Sequence, residues 1–413
     1  MLKLVSSKLS LFLAVLALPV SMIGPALGQT LTTLHTFAGG VTDGGNPDAG
    51  LVLDHKGNLY GTTVNGGSSN NGTVFEVSAN GKETVLHNFA GAPDGAQPFG
   101  GFLIRDGKGN LYGSTYWGGA NGGGAVFELP RKGTEAVLYS FASAPGEADG
   151  QSSYGVIRDA HGNLYGATSF GGAYPAYGTV FKVTPAGDET VLYNFQGGSD
   201  GADPQSPLLR DSKGNLYGTT FQGGILSCGN SDGCGTVFEV SPSGEETILH
   251  TFTSSPDDGE FPNAGLIRDP KGNFFGTTLN GGTFGYGTIF MVTKKGAEKV
   301  LYNFQGGTTD GRSPSGGLLR DKQGNFYGTT AGGGGSGNGG FGWGTIFKMS
   351  PDGVVTLLYS FTGGSDGGNP IGDLVIDDAG NLYGTTVYGG ISGPGCWSIQ
   401  TSSACGTVFK LTP

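Results

Sequence analysis

Residues 54–63 read Asp-His-Lys-Gly-Asn-Leu-Tyr-Gly-Thr-Thr, and six further versions of this stretch follow along the chain. The shared pattern is Gly-Asn-(Leu/Phe)-(Tyr/Phe)-Gly-x-Thr, and successive copies lie 52 to 58 residues apart. Its second aromatic residue falls at Tyr60, Tyr112, Tyr165, Tyr217, Phe275, Tyr327 and Tyr383. A period near 50 residues with four short β-like runs per unit is typical of propeller blades rather than of solenoid coils.

Each repeat contains four candidate strands, which we call A to D from the first to the last. In the second repeat they are residues 102–106, 110–115, 125–129 and 135–141. Alternation of apolar and polar residues and the many aromatic residues favour strands throughout, and no stretch has the pattern of an amphipathic helix. The Asp-x-x-Gly-Asn sequence between A and B predicts a tight hairpin.

The order of the strands predicts how the ring closes. A D-like run at 31–37 precedes any A strand, and the last repeat ends after its C strand, 406–411. We therefore predict an all-β, seven-bladed propeller with four antiparallel strands per blade, in which the N-terminal strand completes the C-terminal blade and leaves no open edge. Residues 29–413 would form this single domain, with blades at about 49–90, 100–142, 153–196, 205–253, 263–305, 315–362 and 371–411 plus 31–38.

Residues 1–28 have the pattern of a secretory signal peptide. Lys3 and Lys8 form a basic segment, an apolar run over 9–20 is too short to span a bilayer, and Ala26-Leu27-Gly28 is a small-x-small cleavage site. No second apolar segment follows as far as Pro413. We expect a secreted or periplasmic protein, with cell-surface association as the alternative and no membrane insertion after cleavage.

The charge balance is acidic, with 22 Lys+Arg against 33 Asp+Glu and a formal net charge of −11. Nucleic acids and anionic membranes bind basic surfaces, so the charge argues against both as partners. It permits cations or neutral polymers. The 84 glycines recur at fixed places in the repeat, which indicates turns and bulges rather than disorder. We expect a monomer.

The repeated Gly-Asn-Leu-Tyr-Gly-Thr-Thr, followed by Gly-Gly and then by Gly-Thr-Val-Phe, resembles the "GloVer" tandem repeat of choice-of-anchor bacterial exported proteins. The resemblance covers nearly all of residues 29–413. It implies a bacterial cell-surface or secreted propeller and no defined activity. Members of that group typically add a C-terminal sorting region, which this sequence lacks, so secretion or periplasmic residence is favoured over surface anchoring.

The D–A connections and B–C loops should lie on one face of the propeller and are the more variable segments, so we expect function there. Exposed aromatic side chains in glycine-rich loops suit stacking on sugar rings or contact with a protein partner. We interpret four of them as candidate ligand-binding residues: Trp117, Trp397, Tyr388 and Phe170. Packing against a neighbouring blade is the alternative, and it is favoured for Tyr177, Tyr286 and Trp343.

Acidic residues on the same face suggest two further kinds of site. Every D–A connection has an Asp-Gly, which could form a ring that attracts Ca²⁺ or could simply cap seven turns, and capping is favoured: Asp43, Asp94, Asp149, Asp200, Asp258, Asp310 and Asp366. Other acids break the symmetry and are candidates for a general acid–base pair in glycoside cleavage: Asp373, Asp203, Glu260 and Glu147. Solvated acids are the simpler interpretation of that second set.

Cysteines and histidines add little catalytic chemistry. Cys228 and Cys234 fall in the fourth B–C loop, and Cys396 and Cys405 in the seventh, so two local disulfides are the economical pairing in an exported protein. Three histidines, His35, His87 and His250, occupy a D-strand position that holds Tyr in the other four repeats, which predicts a packing role rather than a metal cluster. No cofactor is implied.

Together these patterns favour an exported, non-catalytic propeller that binds a glycan or a protein through the B–C and D–A face. The first alternative is a secreted polysaccharide hydrolase or lyase. The second is a purely structural module of the cell envelope, in which the loop aromatics only pack.

Overall fold

The computed structural model describes residues 29–413 apart from residues 101, 143–148, 175, 226–227, 229–231, 336 and 400–401. The predicted signal peptide, 1–28, lies outside the described residues. The described chain is an all-β propeller of seven small antiparallel sheets, as the repeat predicted. Among the described residues, no helix is both long and apolar enough to cross a membrane.

Each blade contains the four predicted strands. The innermost strands, A, are Val52–Leu53, Ile104–Arg105, Gln151–Arg158, Leu209–Arg210, Ile267–Arg268, Leu319–Arg320 and Val375–Ile376. The B strands are Leu59–Thr63, Leu111–Thr115, Leu164–Phe170, Leu216–Thr220, Phe274–Thr278, Phe326–Thr330 and Leu382–Thr386. The C strands are Thr73–Val77, Gly122–Leu129, Thr179–Val183, Thr236–Val240, Thr288–Val292, Thr345–Met349 and Thr407–Thr412. The outermost strands, D, are Glu83–Asn88, Ala136–Ala142, Glu189–Asn194, Glu246–Thr251, Glu298–Asn303, Val355–Ser360 and Thr30–Thr36.

Short pairs of strands and two 3₁₀ turns lie in the loops. Four pairs join a D–A connection to the B–C loop of the blade that follows it: Gly44–Gly45 with Asn65–Gly66, Gly95–Ala96 with Trp117–Gly118, Gly259–Glu260 with Asn280–Gly281, and Gly311–Arg312 with Gly332–Gly333. The remaining pair is Ser398–Ile399 with Ser402–Ser403, and the 3₁₀ turns are Gly198–Asp200 and Asn338–Gly340. These ladders hold both kinds of loop side by side on one face.

The ring closes through the two ends of the chain. Thr30–Thr36 pairs antiparallel with Thr407–Thr412, from Thr30 opposite Thr412 to Thr36 opposite Thr407. The seventh sheet therefore contains one N-terminal strand and three C-terminal strands, which confirms the predicted closure.

The repeated motif is explained by the contacts of its residues in the first blade. Asp54 Oδ1 accepts hydrogen bonds from the backbone N–H groups of Lys56 and Asn58, at 2.8 and 2.9 Å. Its Oδ2 accepts from the Asn58 amide at 3.2 Å and from the Tyr60 hydroxyl at 3.3 Å. Arg105 of the next blade lies over the Tyr60 ring, 5.4 Å from its centroid. The Asp, Asn and aromatic positions therefore fix the A–B hairpin and tie it to the neighbouring blade.

The motif's second glycine allows close packing between strands. A Cβ on Gly61 would lie 2.6 Å from Cζ of Phe75 and 2.8 Å from Cδ2 of Leu51, so no larger residue fits. Phe75 is fully buried and meets Phe37 of the preceding blade edge to face at 5.1 Å. The core of the molecule is thus a set of aromatic contacts between adjacent blades.

The A strands differ from the prediction. Five residues, 102–106, were expected in the second blade, and only Ile104–Arg105 pair. The residues that precede the A strands belong to the blade-to-blade connection and bond across to other blades, as Gly100 N–H does to Asp48. The third blade is the exception, with the eight-residue strand Gln151–Arg158, because its connection from Asp149 is the shortest of the seven.

Candidate functional site

The Asp-Gly aspartates are each held within their own connection. Asp43 accepts hydrogen bonds from the backbone N–H groups of Ala38 and Gly44, both at 2.7 Å, and lies 3.4 Å from His35 Nε2. Where the D strand has Tyr instead of His, its hydroxyl donates to the same aspartate, as from Tyr139 to Asp149 at 2.7 Å. Equivalent His or Tyr contacts hold the rest: Asp94, Asp200, Asp258, Asp310 and Asp366. This is the geometry of turn capping.

An asymmetric group of six aromatic side chains lies on the loop face; we call it the aromatic cluster. Each ring contacts the next, with centroids 4.9 to 6.5 Å apart, in the order Tyr388, Trp397, Phe99, Tyr116 and then both Trp117 and Tyr154. Its members come from the seventh, second and third blades. Trp117 is 43% exposed, and the other five are half-buried. The cluster contains three of the four predicted ligand-binding residues; the fourth, Phe170, lies half-buried at the end of a B strand, outside these ring contacts.

Asn46 holds the loop that carries Trp397. Its amide donates to the carbonyl oxygens of Val387 and Ala404 at 2.9 and 2.8 Å, and its Oδ1 accepts from the Trp397 N–H at 2.8 Å. Asn46 is fully buried and has φ of 56°, a left-handed conformation that Asn tolerates. The side chain therefore sits in the blade-to-blade connection and fixes a loop from the preceding blade.

Both predicted disulfides are confirmed. Cys396 and Cys405 are joined with their Cα atoms 5.0 Å apart, within the loop of Trp397. Cys228 and Cys234 are joined with Cα atoms 5.5 Å apart, and both side chains are fully buried. Each disulfide fixes the shape of an enlarged B–C loop on the same face.

Sequence reasoning missed Phe99 and Tyr154, which belong to the cluster, and Asp48, which lies beside it. Asp48 is buried and accepts long hydrogen bonds from Gly100 N–H, at 3.2 and 3.3 Å, and burial raises its pKa to about 7. Burial also raises the pKa of the Tyr154 hydroxyl, as do Tyr116 and the charges of Asp203 and Asp48. Comparison of the D–A connections could have revealed Asp48 and Phe99, which stand where the fourth to seventh connections have Gln205, Asn263, Ser315 and Ile371.

Asp203 is the candidate acid with the most unusual surroundings. It is 7% exposed, and its Oδ2 accepts a 2.7 Å hydrogen bond from the Gln205 amide. Its Oδ1 and the nearby Ser169 hydroxyl are buried without hydrogen-bond partners among the described residues. Burial raises the pKa of Asp203, while the Gln205 hydrogen bond and the proximity of the Ser169 hydroxyl, which lies outside hydrogen-bond geometry, offset part of that rise. A buried oxygen without a partner beside the aromatic cluster is the kind of group that a polar ligand would satisfy.

The other predicted acids have separate neighbours. Asp373 is half-buried beside Gly317, whose N–H donates to it at 2.5 Å, and burial raises its pKa to about 6. Glu260 lies in a short ladder with Asn280 and next to the Cys228–Cys234 disulfide. Glu147 lies outside the described residues.

Three loop aromatics were expected to pack against a neighbouring blade, and they instead lie against the connection that leaves their own blade. Tyr177 lies over Gly197, Tyr286 over Gly306, and Trp343 over Gly363, where added Cβ atoms would lie 2.2 to 3.1 Å from the rings. Tyr286 also receives the Arg312 guanidinium on its ring at 5.0 Å. Repeated positions thus serve the fold, whereas the aromatic cluster breaks the symmetry.

The chain is similar to solved structures of low sequence identity. The extracellular domain of a protein described as a one component system of B. thetaiotaomicron is 11% identical with a TM-score of 0.53, over 92% of this chain and 40% of that chain. The gluconolactonase XC5397 of Xanthomonas campestris is 14% identical with a TM-score of 0.41, over 74% of this chain and 83% of that one. No curated protein matches the chain. At these identities the likeness concerns the fold alone.

A family model matches the chain over 23–231, 133–341 and 224–413, which together take in all seven blades. The two disulfides are typical of proteins exported to an oxidising compartment. The resemblance that the repeated motif suggested is confirmed: the chain belongs to the Gloeobacter/Verrucomicrobia repeat family.

Proposed function

We propose that this protein is an exported, non-catalytic propeller that binds a glycan on its loop face, at the aromatic cluster. The observation that carries the proposal is the continuous set of six rings from three blades, with Trp117 at its exposed end. Flat aromatic faces stack on the apolar faces of sugar rings, and neighbouring polar groups fix their hydroxyls. Gln205 and the unpartnered oxygen of Asp203 are suited to the second role.

Rigidity of the site supports a binding role. The Trp397 loop is held by a disulfide and by four hydrogen bonds to Asn46, so its rings lose little conformational entropy when a ligand binds. The acidic chain would favour neutral rather than polyanionic glycans. We expect the protein to act in the periplasm or outside the cell, as a monomer.

The test is a titration of the purified protein with a panel of neutral soluble polysaccharides, followed by tryptophan fluorescence. We expect a saturable change with at least one polymer, weakened at least tenfold, or about 1.4 kcal/mol, by Trp117→Ala. Phe284→Ala is the matched control, because Phe284 is 49% exposed on another B–C loop. A flat response across the panel, or equal effects of both variants, would overturn the glycan proposal and direct the search to protein partners.

Polysaccharide cleavage is a second candidate function, favoured by the state of Asp203. A buried carboxyl group with a raised pKa and one free oxygen is suited to donate a proton to a leaving group. The Asp203→Asn variant should then bind a recognised polymer but release no new reducing ends. If the native protein releases none from any polymer that it binds, the cleavage hypothesis is wrong and the binding proposal stands.

A further inference from the structure

Three blade junctions on the outer side of the ring bring together the same three side chains. The histidine and aspartate come from the D strand and outgoing connection of one blade, and the glutamate is the first residue of the next blade's D strand or, for Glu135, the residue before it. In each group, one ligand atom from every residue lies within 4.8 Å of the other two. The groups are His35, Asp43 and Glu83; His87, Asp94 and Glu135; and His250, Asp258 and Glu298.

The three side chains converge and are mostly withdrawn from solvent. The imidazole Nε2 lies 3.4, 3.0 and 3.2 Å from an aspartate oxygen in the three groups. No histidine side chain among them is more than 20% exposed, and no aspartate side chain more than 17%. One imidazole nitrogen and two carboxylates within a few ångströms form a donor set that divalent transition ions prefer.

An independent observation concerns the glutamates. In all three groups the Oε1 atom of the glutamate is buried and accepts no hydrogen bond among the described residues: Glu83, Glu135 and Glu298. A desolvated carboxylate oxygen without a donor is unfavourable, and a cation would satisfy it. Two carboxylates and one neutral imidazole carry a charge of −2, which a divalent ion balances.

We propose that each His–Asp–Glu group binds one divalent transition ion of the Zn²⁺ type, and that the bound ion joins two neighbouring blades. Nitrogen coordination distinguishes such a site from a Ca²⁺ site, which uses oxygen ligands. One of the three sites includes His35, which lies on the N-terminal strand that closes the ring.

The other junctions provide a comparison within the same chain. Two have Tyr in place of His while keeping the aspartate and the buried, unpartnered glutamate: Tyr139 with Asp149 and Glu189, and Tyr193 with Asp200 and Glu246. The tyrosine hydroxyl donates to the aspartate and supplies no nitrogen ligand. The Tyr junctions show that His→Tyr is compatible with the fold, and the proposal assigns zinc to the His junctions only.

The test measures zinc uptake by the full-length exported chain, after dialysis against EDTA, by equilibrium dialysis and calorimetry. We expect three Zn²⁺ per chain, and one fewer for each of His35→Tyr, His87→Tyr and His250→Tyr. The triple variant should bind none at these sites, and zinc should raise the melting temperature of the native protein but not of the triple variant. Glu83→Gln should weaken one site at least tenfold.

His55→Tyr is the control, because His55 is exposed in an A–B turn, and it should leave the stoichiometry at three. A stoichiometry unchanged in the triple variant, or no saturable uptake up to 100-fold molar excess of zinc, would overturn the proposal. A decrease in His55→Tyr equal to that in His35→Tyr would mean surface binding only and would overturn it as well. Melting temperatures are also measured without zinc. A variant that melts at the native temperature without zinc is folded, so its reduced uptake reflects loss of the metal ligand.

Discussion

The Trp397 indole stacks on the Phe99 ring, with centroids 5.4 Å apart and planes 23° from parallel. Trp397 belongs to the B–C loop of the seventh blade, and Phe99 to the connection that enters the second. The loop therefore reaches across the first blade and contacts the connection into the second blade, which is not adjacent to the seventh. This contact gives the loop face of a seven-fold repeat a single distinct region, where one ligand can be recognised.

Asn46→Ala should release the Trp397 loop. The change removes the side-chain hydrogen bonds to Val387, Ala404 and Trp397 and places Ala at φ of 56°, so we expect a loss of about 2–4 kcal/mol of local stability. Hydrogen exchange of peptides covering residues 390–405 should become at least tenfold faster.

Asn369→Ala is the matched control. Asn369 has the same backbone conformation, with φ of 57°, and its amide donates to the Ala331 carbonyl in the sixth blade. The Asn369→Ala variant should lower the free energy of unfolding without changing the hydrogen-exchange rate of the Trp397 loop. Equal protection of that loop in both variants would contradict the role given to Asn46.

Removing the Cys396–Cys405 disulfide should weaken ligand binding while the propeller stays folded. Replacement of both residues by Ser opens a short covalent loop and lowers the free energy that keeps it in its folded conformation by ~2–3 kcal/mol. Affinity for a polymer identified by titration should fall severalfold.

The corresponding double Ser variant of Cys228 and Cys234 is the comparison. That disulfide lies in the core cluster around Phe252 and Phe290, away from the six rings. We expect it to lower the melting temperature and to leave affinity unchanged. If affinity falls equally in both variants, the binding site is not confined to the aromatic cluster.

Phe37→Ala should open the ring at its closing strand. Phe37 is fully buried at the end of Thr30–Thr36, and truncation of such a residue costs about 3–5 kcal/mol. The N-terminal strand and its partner, Thr407–Thr412, should then exchange their amide hydrogens together and faster. Phe195→Ala removes the equivalent contact, with Phe238, at a junction where the chain is continuous. This control should leave the amide hydrogens of Thr30–Thr36 and Thr407–Thr412 protected. Unchanged exchange of Thr407–Thr412 in Phe37→Ala would contradict this view of closure.

Stability should depend on pH through Glu189. Burial, with a smaller contribution from the charge of Asp149, raises its pKa from 4.5 to about 7. The folded state then holds a proton that the unfolded state releases between these values, so the free energy of unfolding falls as the pH rises from about 4.5 to 7.

Glu189→Gln carries no such proton. Its melting temperature relative to the native protein should therefore rise with pH and be about 1–2 °C higher at pH 8, on a scale of ~1 °C per kcal/mol for a domain of this size. Glu245→Gln, an exposed neighbour of the next D strand, should give no such trend. Parallel pH profiles for Glu189→Gln and the native protein would show that this glutamate does not titrate differently on folding.

Local periodicity explains why the fold was predictable. Each motif residue acts within its own hairpin or on the adjoining strand, as Asp54 and Tyr60 do. Every copy of the motif in the sequence therefore forms the same local structure. The closing strand followed from the order of the runs, and the disulfides from two loops with two cysteines each. The two-residue A strands were not predictable, because their preceding residues bond to other blades instead of to strand B.

The site depends on contacts between distant parts of the chain. The contact between Trp397 and Phe99 could not be predicted, because the two residues are 298 positions apart and no sequence pattern indicates which blade the Trp397 loop crosses. The exchange of His for Tyr at position 87 and its equivalents suggested packing alone, because the nearby glutamate comes from the following blade. Burial of Asp48 and Asp203 likewise depends on the closed ring rather than on their neighbours in sequence.

Because Thr30–Thr36 pairs with Thr407–Thr412 through hydrogen bonds, the ring closes without a covalent link between these strands. The seven-sheet architecture therefore does not depend on the chain being interrupted at this point. Joining these two strands by a short linker and opening the chain at an exposed A–B turn, such as that at Lys108, would give a circular permutant with the same seven sheets. The same pairing means that Thr30–Thr36 has no partner during synthesis until Thr407–Thr412 has been made. Every blade but the seventh can form in order of synthesis, and the complete ring forms only at the end.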